Sequence, residues 1–192
     1  MKIRPASATI ATLATAMVLA SALGLCLGGC SSKAAKTGQP TSGKNGFTST
    51  KDGFSITAPA SWEKAEGKMG MTVVFVEPLA GASDTFRENV NVVVEKLPAG
   101  MGLDGYVKAC NEALAKMMTN FKEVSSARVK LGENDAQRNV YQHKMGVYDL
   151  KVLGYFVVHG GRAYILTCTA TVDEYDNHEP AFEDICKTFQ TQ

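Results

Sequence analysis

Five cysteines, three histidines and one glycine-rich run are the residues of this 192-residue chain whose chemistry could define a function. Cys30 stands apart, because Leu27, Gly28 and Gly29 precede it. Small residues there let an extended backbone enter a peptidase cleft, and the thiol can take up a lipid as a thioether. Lys2 and Arg4 form a short positive stretch, and residues 8–27 are apolar or small without a charge. A positive n-region, an apolar h-region and a small-residue cleavage site are the architecture of a secretory leader. A spanning helix is the competing reading, since about 20 apolar residues cross a bilayer. The Leu-Gly-Gly-Cys ending resembles a bacterial lipobox and decides for a lipoprotein leader over residues 1–29, with Cys30 carrying the lipid, palmitate included. Cys26 lies inside the apolar run, and Leu25 before it suits cleavage less well than Gly29 does. Several acyl chains on one residue hold a protein firmly on a membrane. The expected address is the cell envelope, anchored on the extracytoplasmic side.

Cys110, Cys168 and Cys186 remain, an odd number. Disulfides persist outside the cytoplasm. Cys110 and Cys186 both fall on apolar helix faces, so they can pair if those helices are neighbours; Cys168 with Cys186, strand to helix, is the rival pairing. Gly100, Gly102 and Gly105 spell a dinucleotide fingerprint, with Glu123 downstream. That chemistry needs a parallel βαβ unit to aim a helix N-terminus at a pyrophosphate. The surrounding pattern is antiparallel, so no cofactor is expected. His143, His159 and His178 are scattered, and the acidic run Asp173-Glu174-Tyr175-Asp176 lacks the spacing of a calcium loop, so no metal site is expected either. No HExxH, GxSxG or P-loop occurs, and no catalytic residue is assigned. Phe86 and Arg87, in the loop 78–88, are candidate binding residues, since such loops often carry recognition. Met69, Met71, Met117 and Met118 read as core filling.

These residues need elements to position them. Residues 31–46 are built mainly from Ser, Gly, Thr, Lys and Ala with no large apolar side chain, a flexible tether starting from Cys30. Residues 47–192 then form one domain, large enough for a core without staples. Strands are expected at 54–58, 71–77, 89–96, 122–131, 136–144, 150–158 and 162–171. The spacing of Leu103, Tyr106, Val107, Cys110, Leu114, Met117, Met118 and Phe121 predicts a helix over 103–121, and Phe182, Ile185, Cys186 and Phe189 predict another over 179–189. Gly160-Gly161 fits a tight hairpin turn. The fold class is α+β, an antiparallel sheet flanked by helices. Without the leader the chain carries 18 basic against 19 acidic residues, which gives no electrostatic case for nucleic acid.

Phe54-Ser55-Ile56-Thr57-Ala58-Pro59 with Trp62, the run 89–94 followed by Leu97-Pro98 and Leu103-Asp104-Gly105-Tyr106-Val107, and the closing Tyr164–Thr171 strand with 182–189 resemble the PsbP/DcrB-like family in order and spacing. The resemblance implies an αβα sandwich with no shared catalytic residues, in a family that includes photosystem assembly subunits and many bacterial lipoproteins. Cys110, Cys168 and Cys186 depart from it, so a disulfide cannot be carried over. The expected function is non-enzymatic: binding a protein partner in envelope complex assembly or stabilisation. The alternative is a small-molecule or lipid carrier with a pocket between sheet and helix.

Overall fold

The computed structural model describes residues 44–68 and 70–192. Two of the strands explain the architecture. In β4 (Val73–Val76) and β9 (Arg162–Thr171) the buried residues run continuously instead of alternating with exposed ones. Such a strand must be covered on both faces. Val73 and Phe75 enter one core while Val74 and Val76 enter another, and Leu166 and Cys168 face the first core while Ala163 and Ile165 face the second.

The sheet that separates the two cores is seven-stranded, in the order β3-β4-β5-β9-β8-β7-β6. Its remaining members are β3 (Glu63–Glu66), β5 (Asn89–Lys96), β6 (Thr119–Leu131), β7 (Asn134–Met145) and β8 (Tyr148–His159). Every pairing is antiparallel. At the β8–β9 hairpin His159 pairs with Arg162, and Gly160 and Gly161 both take positive φ, 56° and 73°, as a two-residue turn of this hand requires. A smaller sheet, β1-β2-β10, is built from β1 (Lys44–Ser49), β2 (Phe54–Pro59) and β10 (Gln190–Thr191). Lys44, Asn45 and Gly46, assigned above to the tether, are therefore the first residues of β1.

Helix α1 (Leu103–Met117) lays Tyr106, Val107, Cys110 and Leu114 on one sheet face, against Val93, Val152, Phe156 and Ile165. Helix α2 (Tyr175–Lys187) and the small sheet cover the other face, where Phe54, Tyr164 and Phe189 form an aromatic cluster with centroids 5.5–5.9 Å apart. Asp104 in the first turn and Lys116 in the last complement the dipole of α1.

Both helix boundaries differ from expectation. Helix α1 ends at Met117, four residues early, and Asn120 turns the chain into β6 with φ of 56°. Asn tolerates that left-handed conformation better than most residues. Phe121 belongs to β6 and still reaches the same core, its ring 5.5 Å from that of Tyr141, which is why its spacing reads as helical. Helix α2 begins at Tyr175 and not at 179. Pro180 reads as a helix start, yet it sits inside α2, and the first turn is closed by the amides of Asn177 and His178 donating to the Glu174 carbonyl. The continuous antiparallel pairing of β5 with β9 removes the βαβ geometry that the glycine fingerprint would need.

Candidate functional site

The loop 78–88 joins β4 to β5, and a backbone hydrogen bond of 2.8 Å from the Glu77 amide to the Glu88 carbonyl clamps its base. Glu77 and Glu88 thereby leave adjacent strands side by side, one residue beyond the Val76–Asn89 pair. Across from them the early start of α2 brings in His178. Its Nε2 lies 3.3 Å from Glu77 Oε2. Carboxylate oxygens of Glu77 and Glu88 and a ring nitrogen of His178 all fall within 4.8 Å of one another. They line an open groove of about 470 Å³ with Pro78, Asp84 and Thr171. Glu88 is only 6% exposed, and burial pushes its carboxyl above the usual range, with His178 opposing that shift. In the sequence His178 is one of three scattered histidines, with nothing beside it that marks a metal ligand. The missing signal is tertiary: the three residues come from two strand ends and a helix that are far apart in the chain.

Phe86 and Arg87 are less available than a binding loop suggests. Phe86 is buried, with its ring 5.2 Å from that of Tyr148, and the Tyr148 hydroxyl donates to the Thr85 carbonyl at 2.8 Å. Arg87 donates Nε to the Glu77 carbonyl at 2.8 Å and sits 3.0 Å from Glu63. Both residues fix the loop that carries the glutamates. Phe86 lines the groove itself.

The cysteines divide between the two cores. Cys168 and Cys186 are buried together with sulfurs 3.4 Å apart. Cys110 lies in the core on the other side of the sheet, so the Cys110–Cys186 pairing is excluded by the intervening strands. Burial pushes the Cys110 thiol up to about 12, which keeps it protonated and unreactive. Met71 and Met118 are buried as expected, Met117 is 44% exposed, and Met69 lies outside the described residues. The leader, Cys30 and residues 31–43 of the tether also lie outside them.

A further polar patch lies under the α1 face. Asn91 on β5 pairs in register with Thr167, and Asn89 with Thr169. Asn89 Oδ1, Asn91 Oδ1, Thr169 Oγ1 and His143 Nε2 are buried without a hydrogen-bond partner among the described residues. Burial shifts His143 toward its neutral form. The layers between helix and sheet are filled: Tyr106 and Phe156 on one face, and Phe182 and Phe189 on the other, are 1% exposed or less. An open groove of about 360 Å³, lined by Ala58, Pro59, Ala181 and Ile185, lies between β2 and α2.

Compared with known families, residues 42–191 match the model of PsbP. The chain belongs to the PsbP family. Solved structures share the PsbP fold. Cyanobacterial PsbP (CyanoP) from Synechocystis sp. PCC 6803 is 17% identical with a TM-score of 0.60, the match covering 86% of this chain and 99% of that one. LpqN, involved in cell envelope biogenesis of Mycobacterium tuberculosis, is 16% identical with a TM-score of 0.60 over 78% of this chain and 91% of its own. The Saccharomyces cerevisiae Ran-binding protein Mog1p is 9% identical with a TM-score of 0.53, over 79% and 96%. At these identities the likeness is one of fold. No curated protein matches the chain. Among the described residues no helix is long and apolar enough to cross a membrane.

Proposed function

We propose that this chain is a lipid-anchored, extracytoplasmic PsbP protein that binds a protein partner in the assembly or stabilisation of an envelope complex, without catalysis. The address rests on the leader and on Leu27-Gly28-Gly29-Cys30. The observation that carries partner binding is β6. This 13-residue strand closes one edge of the large sheet, pairs only with β7 among the described residues, and is exposed along almost its whole length, with Leu131 its one buried residue. An open strand edge offers a row of unpaired backbone donors and acceptors to an incoming strand. Val124 on β6 and Val147 at the neighbouring hairpin tip, 48% and 83% exposed, add apolar surface beside that edge. Relatives in fold described as acting in envelope biogenesis and in binding a protein support the same reading. The carrier reading needs a pocket between sheet and helix; the groove of about 360 Å³ between β2 and α2 lies open at the surface, and large buried side chains occupy the layers on either face of the large sheet.

The test is crosslinking in intact cells, followed by detergent extraction, capture of the chain and mass spectrometry, with Cys30→Ser as the unanchored control. A partner captured reproducibly with the anchored chain and lost with C30S supports the reading. Recovery of the same partner in equal yield with C30S contradicts the role of the anchor, and recovery of no protein contradicts partner binding.

A further inference from the structure

We propose that Glu77, Glu88 and His178 form a binding site for a divalent metal ion of the zinc class. His178 Nδ1 lies 2.8 Å from the Glu174 carbonyl oxygen. A carbonyl only accepts, so Nδ1 carries a hydrogen and donates it. A metal-binding histidine is ordinarily oriented in this way, its second nitrogen donating to a carbonyl or carboxylate behind it. The other nitrogen, Nε2, is thereby directed at Glu77 Oε2, 3.3 Å away.

That approach leaves two electron-rich atoms facing each other. Glu77 Oε2 is buried and has no hydrogen-bond partner among the described residues. A neutral imidazole would set its lone pair against a carboxylate oxygen, so a positive species belongs between them. Glu88, only 6% exposed, adds a second carboxylate to the same point. Two carboxylate oxygens and an imidazole nitrogen give a divalent cation three donor atoms at one point, and the two carboxylates match its charge.

The donor set indicates which cation. One imidazole nitrogen with two carboxylate oxygens suits zinc and its first-row neighbours; calcium and magnesium take oxygen ligands. Ligands at about 2.0–2.2 Å from zinc stand roughly 3.4 Å from one another in a tetrahedron. The nitrogen and Glu77 oxygen are already at that separation, at 3.3 Å, and a Glu88 carboxylate oxygen lies within 4.8 Å of both. The groove leaves a fourth position open for water or for a donor from a partner.

The test uses the detergent-solubilised full chain, stripped with chelator and titrated with ZnCl₂ by calorimetry and by thermal unfolding. Cobalt(II) substitution supplies a visible-absorption readout of coordination. The wild type is expected to bind one zinc ion, to unfold at a higher temperature with zinc, and to give a Co²⁺ spectrum with imidazole and oxygen ligands. Glu88→Gln keeps the side-chain shape, and His178→Gln removes the ring. Each should weaken zinc binding by more than about tenfold, the lower end of what losing even an outer-shell partner costs. Circular dichroism establishes that each variant is folded; if either is not, the Co²⁺ spectrum of the wild type decides. Absence of zinc binding, zinc affinity unchanged in both variants, a thiolate-type Co²⁺ spectrum, or stabilisation by Ca²⁺ or Mg²⁺ but not by Zn²⁺ would each overturn the proposal.

Discussion

Glu95 reports on the packing between α1 and the sheet through its dependence on pH. It lies on β5, where the Tyr106 hydroxyl of α1 donates to Oε2 at 3.4 Å. Burial pushes its carboxyl from 4.5 up to about 7, against the smaller opposing effect of that hydrogen bond. The unfolded chain ionises Glu95 at the ordinary value, so between the two values the folded chain holds the extra proton. Its stabilising contribution is complete below pH 4.5 and is lost as the pH rises through about 7. The separation of the two values, discounted for the part of the side chain that solvent screens, corresponds to about 1–2 kcal/mol of stability given up by pH 8. Glu95→Gln keeps the shape and removes the charge. Urea unfolding followed by fluorescence of Trp62, buried in the fold and the only tryptophan, measures the difference. E95Q should match the wild type near pH 4.5 and exceed it by about 1–2 kcal/mol at pH 8. Groups that titrate in both proteins cancel in the difference. A difference that stays constant from pH 4.5 to 8 would refute the reasoning, because the carboxyl would then sit in solvent.

Two further outcomes follow from the α2 side of the sheet. Arg138 on β7 donates to Glu179 at 2.7 Å and to Glu183 at 2.8 Å, and Glu183 also accepts from the Tyr155 hydroxyl at 2.6 Å, so the network fastens α2 to the sheet. Arg138→Met should cost about 2–3 kcal/mol in urea unfolding, and adding E183Q should recover part of it by removing a carboxylate left without its cation. In protein recovered from the oxidising side of the membrane, Cys168 and Cys186 are expected as a disulfide and Cys110 as a thiol. Burial raises the Cys168 thiol well above its ordinary value, so closure belongs to folding, before the pair is sequestered. Alkylation under denaturing conditions followed by peptide mass spectrometry should label Cys110 alone; labelling of all three cysteines contradicts the pairing. Reduction should lower stability by about 3 kcal/mol, as expected for a closed loop of this length.

How much of this was legible in the sequence depended on whether the information was local. Residues 89–96 and 162–171 alternate or run with enough Val, Ile and Thr that both strands were placed to the residue. The polar β3, with Glu-Lys-Ala-Glu, carries no apolar pattern, and its place is set only by pairing with β4. Strands β1 and β10 are short and depend on β2 for their partners. Helix α1 was drawn too long because Met118 and Phe121 keep helical spacing while serving the same core from a cap and a strand. The cysteine pairing turned on which face of the sheet each helix covers, a fact that periodicity does not contain. The Glu77–Glu88–His178 cluster was invisible for a related reason. Nothing in the separate segments announces that the base of a loop meets the first turn of α2, and Pro180 concealed that turn.

Presentation of β6 to a partner by the anchored domain is tested by placing a photo-crosslinking residue at Val124 of the full chain in intact cells. A matched probe at Lys108, exposed on α1, serves as the control, and both are repeated with Cys30→Ser. One discrete adduct is expected from position 124, absent from position 108 and lost with C30S. Equal adducts from both positions, or an adduct at 124 that C30S leaves undiminished, would contradict it.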